Sequence, residues 1–174
     1  QLKDRYKAFS GFLAIFLVFF VCVILSGWYF DIAFVRTFSA TDGVMKVNTA
    51  YLFILSSMCL LTLNVSKGIY VIAFHVLSFL VFLLGLTTLA QNLYSIDIGV
   101  DYWLFDYNRI PGQSSRMSPV ASLCFVLFSC SLIAGKHSQW EAKTQSLCIT
   151  MMILAILALF GHVFDVQTLY KIEA

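Results

Sequence analysis

The sequence predicts an all-α protein: a polytopic transmembrane helical bundle of about five spans, forming a single membrane domain over residues 1–174. Three observations lead there. First, 60% of the residues are hydrophobic and 11% charged, whereas a soluble domain carries about 25% charged residues. That leaves too little polar surface to cover a globule in water. Second, the apolar residues gather into runs near the length that crosses a bilayer, about 20 residues. Third, no run shows the alternating pattern, about ten residues long, of a membrane barrel strand. Backbone groups in lipid must then bond within their own segment, and that means helix.

The first span covers about residues 9–29. The chain opens on Gln1 rather than Met, as expected of a processed chain or a piece of a longer one. The run ends on Trp28, Tyr29 and Phe30, with no small-x-small cleavage signal, so it reads as a retained helix rather than a signal peptide. The second span covers about 47–63 and the third about 68–93, joined by the short segment from Asn64 to Lys67. The fourth covers about 119–134 and the fifth about 146–163.

Lys and Arg set the orientation. With the N-terminus inside, the inner segments carry Lys3, Arg5, Lys7, Lys67, Lys136 and Lys143, and the outer ones Arg36, Lys46, Arg109, Arg116 and Lys171. The bias is small, but the basic N-terminus lies beside the first helix, where charge counts most. We therefore expect the N-terminus in the cytoplasm and the end of this chain outside. Aromatic residues collect at the outer boundary: Trp28, Tyr29, Phe30, Tyr102, Trp103, Phe105 and Tyr107. An interfacial belt is the ordinary reason for that, and a binding cleft the alternative.

The sequence also repeats. Residues 45–63 and the stretch 72 positions later share Met45/Met117, Phe53/Phe125, Leu55/Leu127, Ser57/Ser129 and Leu60/Leu132. A looser likeness pairs residues 89–95 with 160–166. The predicted units, about 45–95 and 117–166, are two helical hairpins of the same orientation, as parallel repeats are. They follow the first helix.

The longest outer segment, residues 94–116, mixes Asp97, Asp101 and Asp106 with Arg109, Arg116 and several aromatic rings. Irregular loops above about 15 residues are commonly functional or disordered, and the aromatic content speaks for folding onto the helix ends. Several motifs lie around this loop in order. They are Gly27-Trp28 with Asp31, then Met45-Lys46-Val47-Asn48-Thr49-Ala50, then Asp97-Ile98-Gly99-Val100-Asp101 with Leu104-Phe105. Pro111-Gly112, Arg116-Met117-Ser118-Pro119, and Gly161 followed by Leu169-Tyr170 complete the series.

Together these motifs resemble the multi-pass N-terminal membrane sensor module of bacterial PAS, diguanylate cyclase or histidine kinase signalling proteins, over about residues 27–170. The second copy departs from the pattern, with Val120-Ala121-Ser122 where Asn-Thr-Ala is expected. The resemblance implies a signal-input module of the bacterial inner membrane, without catalysis of its own. It also implies a cytoplasmic output domain that this chain does not contain. The chain would then be a fragment of a longer module or a fold recruited as a stand-alone subunit.

Six residues are candidates for ligand binding: His75, Asp97, Asp101, Trp103, Asp106 and Arg109. His75 lies within the third span, and ionisable residues inside a membrane are functional candidates by default. A histidine hydrogen-bonded to a neighbouring helix is its commoner fate. A haem held by His75 and His162 is excluded by depth, since at about 1.5 Å of rise per residue the two lie about 15–20 Å apart along the membrane normal. The three aspartates could bind a polar signal, although pairing with Arg109 and Arg116 or plain solvation is the commoner role. No calcium-loop pattern is present.

Cys22, Cys59, Cys124, Cys130 and Cys148 all lie in apolar runs without metal-binding spacing, which predicts packed free thiols. The hydroxyl and amide groups of Asn48, Thr49, Ser56, Ser57, Thr62, Asn64, Ser129 and Ser131 predict contacts between helices. No nucleophile elbow, phosphate loop or zinc-protease motif occurs, so we expect no catalytic residues, no cofactor and no metal. A net charge of +2 without a basic run excludes nucleic acid as a partner. The expected partners are the lipid bilayer and other membrane helices, in a homo-oligomer or a larger membrane complex. A non-catalytic accessory subunit of such a complex is the alternative function.

Overall fold

In the computed structural model, the described residues are 2–30, 32, 45–63, 65, 67–96, 98–99, 117–136 and 138–164. Among them are five α-helices and no strand. They are α1 (Leu2–Tyr29), α2 (Val47–Leu63), α3 (Gly68–Tyr94), α4 (Pro119–Ala134) and α5 (Glu141–Val163). A short 3-10 turn, Ser138–Trp140, precedes α5. Three segments are long and apolar enough to cross a membrane: Arg5–Tyr29, Gly68–Tyr94 and Glu141–Gly161. The helices α2 and α4, at 17 and 16 residues, are apolar but shorter.

The bounds of α2 and α4 coincide with the predicted runs. The helices α1 and α5 begin earlier, at Leu2 and Glu141, because helical hydrogen bonding continues through polar residues that a hydropathy run leaves out. Residues such as Glu141, Ala142, Lys143 and Gln145 are good helix formers with no reason to stop the helix. The start of α4 is specified locally. Ser118 is the N-cap in extended conformation, its Oγ accepting from the Ala121 N–H at 3.2 Å, and Pro119 takes the first helical position, where a missing N–H is harmless. The helix α3 stops at Ser95, whose φ of 51° is the left-handed conformation that ends helices. Gly99 follows with φ 77°.

Two compact units divide the chain, residues 1–77 and 78–174. In the first, α1 packs on α2. Ala14, Val21 and Trp28 are buried at seven-residue intervals on α1, and Ala50 and Ser57 at the same interval on α2. Such spacing keeps one stripe of a helix against its neighbour. In the second unit, α4 packs on α5, and α3 meets α4 at three points spaced by seven residues on α3. Ser129 Oγ donates to the Ser78 carbonyl at 2.5 Å. Gly85 faces Ser122, Phe125 and Val126. Asn92 Nδ2 donates to the Met117 carbonyl at 3.1 Å.

Positions 72 residues apart share burial at Ala50/Ser122, Ser57/Ser129 and Cys59/Ser131. Within the units α2 packs on α1, while α4 packs on α5 and also meets α3. The boundary between the compact units falls inside α3, within the stretch 45–95 that the sequence frames as one hairpin.

Of the polar groups expected to link helices, Ser57, Thr62 and Ser131 turn back on their own helix. Ser57 donates to the Phe53 carbonyl, Thr62 to Met58 and Cys59, and Ser131 to Phe128, as Ser122 also does to Pro119. A carbonyl three or four residues back is the nearest acceptor a short hydroxyl side chain can reach. Ser129 is different, since its bond crosses to α3. Ser129→Ala is therefore expected to lower stability by about 0.6–1.7 kcal/mol, the range for interhelical hydrogen bonds in membranes. Ser57→Ala, by the same measurement of unfolding in mixed micelles, is expected to change it less.

All five cysteines are free thiols, Cys59 buried and Cys22 and Cys148 exposed.

Candidate functional site

Five of the six candidate ligand-binding residues, Asp97, Asp101, Trp103, Asp106 and Arg109, lie outside the described residues. So do the belt residues Tyr102, Phe105 and Tyr107, the side chain of His162, and Arg116. What the structure defines is the pair of clamps at the helix ends that flank the two long connections, α1 to α2 and α3 to α4.

The first clamp joins α1 to α2. Trp28 was expected in an interfacial belt, but it is 3% exposed, and its indole Nε1 donates to the Met45 carbonyl at 3.0 Å. An indole buried by its apolar body still has an N–H to satisfy, and a carbonyl just ahead of a helix is a ready acceptor. Beside it, the hydroxyls of Tyr29 and Tyr51 lie 2.9 Å apart. Tyr29 and Phe30 are 61% and 76% exposed, whereas Trp28 is packed inside.

Next to this clamp is Lys46, half-buried just ahead of α2, and burial lowers its pKa from the ordinary 10.5. The unfolded chain thus holds the Lys46 proton to higher pH than the folded one, and stability rises with pH between the folded value and 10.5. Lys46→Met is expected to flatten that alkaline rise, read as the difference in unfolding midpoint between pH 8 and pH 10 for both proteins.

The second clamp joins α3 to α4 through Asn92 and Met117. Met117 is 1% exposed, and Gln91 beside Asn92 is fully buried. Both clamps have one design: a side-chain N–H at the C-terminal end of one helix donates to the carbonyl of a methionine two residues ahead of the next helix. The repeat had already paired Met45 with Met117. Trp28 and Asn92 could not be paired by comparing the sequence with itself, because they differ chemically and are 64 rather than 72 positions apart. Only the carbonyls they serve correspond.

His75 is the one candidate that the structure places. It is exposed on α3, with Nδ1 2.7 Å from the Val71 carbonyl and its ring edge-on to Phe74 at 5.3 Å between centroids. A carbonyl can only accept, so Nδ1 carries the proton of this bond. The neighbouring-helix hydrogen bond expected for His75 is thus replaced, at Nδ1, by a bond within α3.

Among the described residues no group of three or more His, Cys, Asp and Glu side chains could hold a metal ion. Comparison with protein-family models, with curated proteins and with solved structures gave no match to this chain.

Proposed function

We propose that this chain is a membrane-embedded signal-input module without catalysis of its own. In this reading all five helices cross the bacterial inner membrane, with the N-terminus in the cytoplasm, and the connections after α1 and α3 lie outside. Helices α2–α3 and α4–α5 descend from one duplicated hairpin. Residues of the long connection, Asp97, Asp101, Trp103, Asp106 and Arg109, contact the signal.

The observation that carries this reading is the paired clamp. Each outer connection leaves and re-enters the bundle at helix ends tied by one side-chain N–H and one methionine carbonyl. A ligand that favours one arrangement of such a connection acts directly on the relative position of two helix ends. A signal can shift a two-state equilibrium only through such differential binding. The output would be a cytoplasmic domain or partner reached through those helices.

The test has two arms. Reporter fusions at Trp103 and Lys136 are expected to fall in opposite compartments, and finding both in one compartment overturns the topology. Deletion of residues 100–114 is expected to abolish the response to signal while leaving membrane insertion intact. A normal response from that variant overturns the sensory role.

A second reading, a non-catalytic subunit of a larger membrane complex, draws on α5. That helix exposes Ile149, Met152, Ile153, Ile156, Leu157, Leu159 and Phe160, nearly its whole apolar length. Stable co-migration of the extracted protein with a multi-subunit assembly would favour it.

A further inference from the structure

The buried stripe of α1, Ala14, Val21 and Trp28, has a counterpart on the other side of the same helix. Arg5, Phe9, Phe12, Phe16, Phe19 and Val23 follow one another at alternating intervals of four and three residues. Such spacing draws one line along a helix, and this line runs roughly opposite the buried stripe. All of these residues are exposed, the four phenylalanines between 56% and 68%. Phe12 and Phe16 stack with their centroids 6.5 Å apart, which makes part of the line a ridge of rings. Arg5 stands at its head.

The dimensions fit one leaflet of a bilayer. From Phe9 to Phe19 α1 rises about 15 Å, half of a hydrocarbon layer about 30 Å thick. Arg5 lies about 6 Å beyond Phe9, at the depth of the headgroups. The first ten residues carry Lys3, Arg5 and Lys7 against Asp4, so this end of the helix is basic.

We propose that this face of α1 holds an anionic phospholipid, with its phosphate on Arg5 and an acyl chain along the phenylalanine ridge. The reading needs α1 to cross a membrane, and it holds whether or not the chain senses a signal. Two observations select a lipid over another helix. Interfaces between membrane helices favour small residues that let backbones approach, and this line carries phenylalanine at four consecutive positions. A second copy inserted in the same direction would also set Arg5 against Arg5, with no carboxylate on the line to offset the repulsion. An anionic headgroup reverses the sign of that interaction, and a guanidinium can offer a phosphate two parallel N–H donors. A soluble phosphate would use Arg5 and leave the ridge uncovered.

Native mass spectrometry of the purified chain tests this, by titration with dioleoyl phosphatidylglycerol and dioleoyl phosphatidylcholine. The anionic lipid is expected to bind more tightly. Arg5→Gln is expected to weaken it about fivefold, the worth of one cation near an anionic membrane surface. Lys7→Gln removes the same charge from another side of the helix and is expected to leave binding nearly unchanged. Phe16→Ala is expected to weaken the dioleoyl lipid but not dihexanoyl phosphatidylglycerol, whose chains are too short to reach that ring. Arg5 and Phe16 are both exposed, so neither substitution empties the core. Equal losses from Arg5→Gln and Lys7→Gln overturn the proposal, because they report net charge alone. Equal binding of the two dioleoyl lipids overturns it too, as does displacement of the anionic one by excess inorganic phosphate. A doubled chain mass that Phe16→Ala returns to a single one makes the ridge a helix contact instead.

Discussion

Trp28→Ala is expected to destabilise the protein by about 3–5 kcal/mol, the cost of emptying a large aromatic site in a packed core. Trp28 is 3% exposed and closes the α1–α2 pair at the point where α2 begins. Its removal loses the packing and also leaves the Met45 carbonyl without the indole donor. Trp28→Phe separates the two contributions. It keeps most of the ring but not the N–H, and is expected to cost about 0.5–1.5 kcal/mol for the hydrogen bond plus a smaller packing loss. Reversible unfolding in mixed micelles reads both. A cost below about 1 kcal/mol for the alanine variant would place the indole at the membrane boundary, where the sequence alone put it.

The second large effect lies in the other unit. Gly85→Leu is expected to cost about 1–3 kcal/mol by overpacking, because even a Cβ there would lie 3.2 Å from Val126 Cγ2, 3.3 Å from the Ser122 carbonyl oxygen and 3.4 Å from Phe125 Cβ. Two of these three neighbours are a backbone atom and a Cβ, which cannot swing aside. Gly11→Ala on α1 is the control, since nothing lies within 4 Å of a Cβ at that position. It is expected to stabilise by up to about 1 kcal/mol through helix propensity alone. Opposite signs from two glycines in long apolar helices would establish close approach of α3 and α4 as the reason for Gly85. If both substitutions stabilise, α3 and α4 do not approach there.

These two positions also mark how far the sequence could be read. Hydropathy placed α2 and α4 to the residue and α3 to within one, and it missed the polar starts of α1 and α5, because a helix continues through Glu141 and Lys143 as readily as through leucine. The self-comparison singled out Met45 and Met117, and these are the two carbonyls that the clamps use. Their donors were not legible, because whether Trp28 or Asn92 reaches a carbonyl 17 or 25 residues away depends on which helices pair. The same limit applies to Trp28 itself. Its place at the end of an apolar run fits an interfacial belt and a buried anchor equally well, and only packing on α2 separates them. For the candidate site, residue type named His75, but nothing in the local sequence could tell that its Nδ1 would serve its own helix. Asp97, Asp101, Trp103, Asp106 and Arg109 remain expectations drawn from loop composition.

The lengths of the helices have a mechanical consequence. At about 1.5 Å per residue, α2 and α4 measure about 24–26 Å, short of a hydrocarbon layer about 30 Å thick, while α1 and α3 exceed it at about 40 Å. Each clamp therefore ties an overlong helix to a short one, and thickness mismatch costs a fraction of a kcal/mol per ångström. Under the proposed topology, in which all five helices cross the bilayer, thinning or thickening of the surrounding lipid bears on the two partners of a clamp in opposite senses. The joints that hold the two long connections would then be mechanically coupled to acyl-chain length.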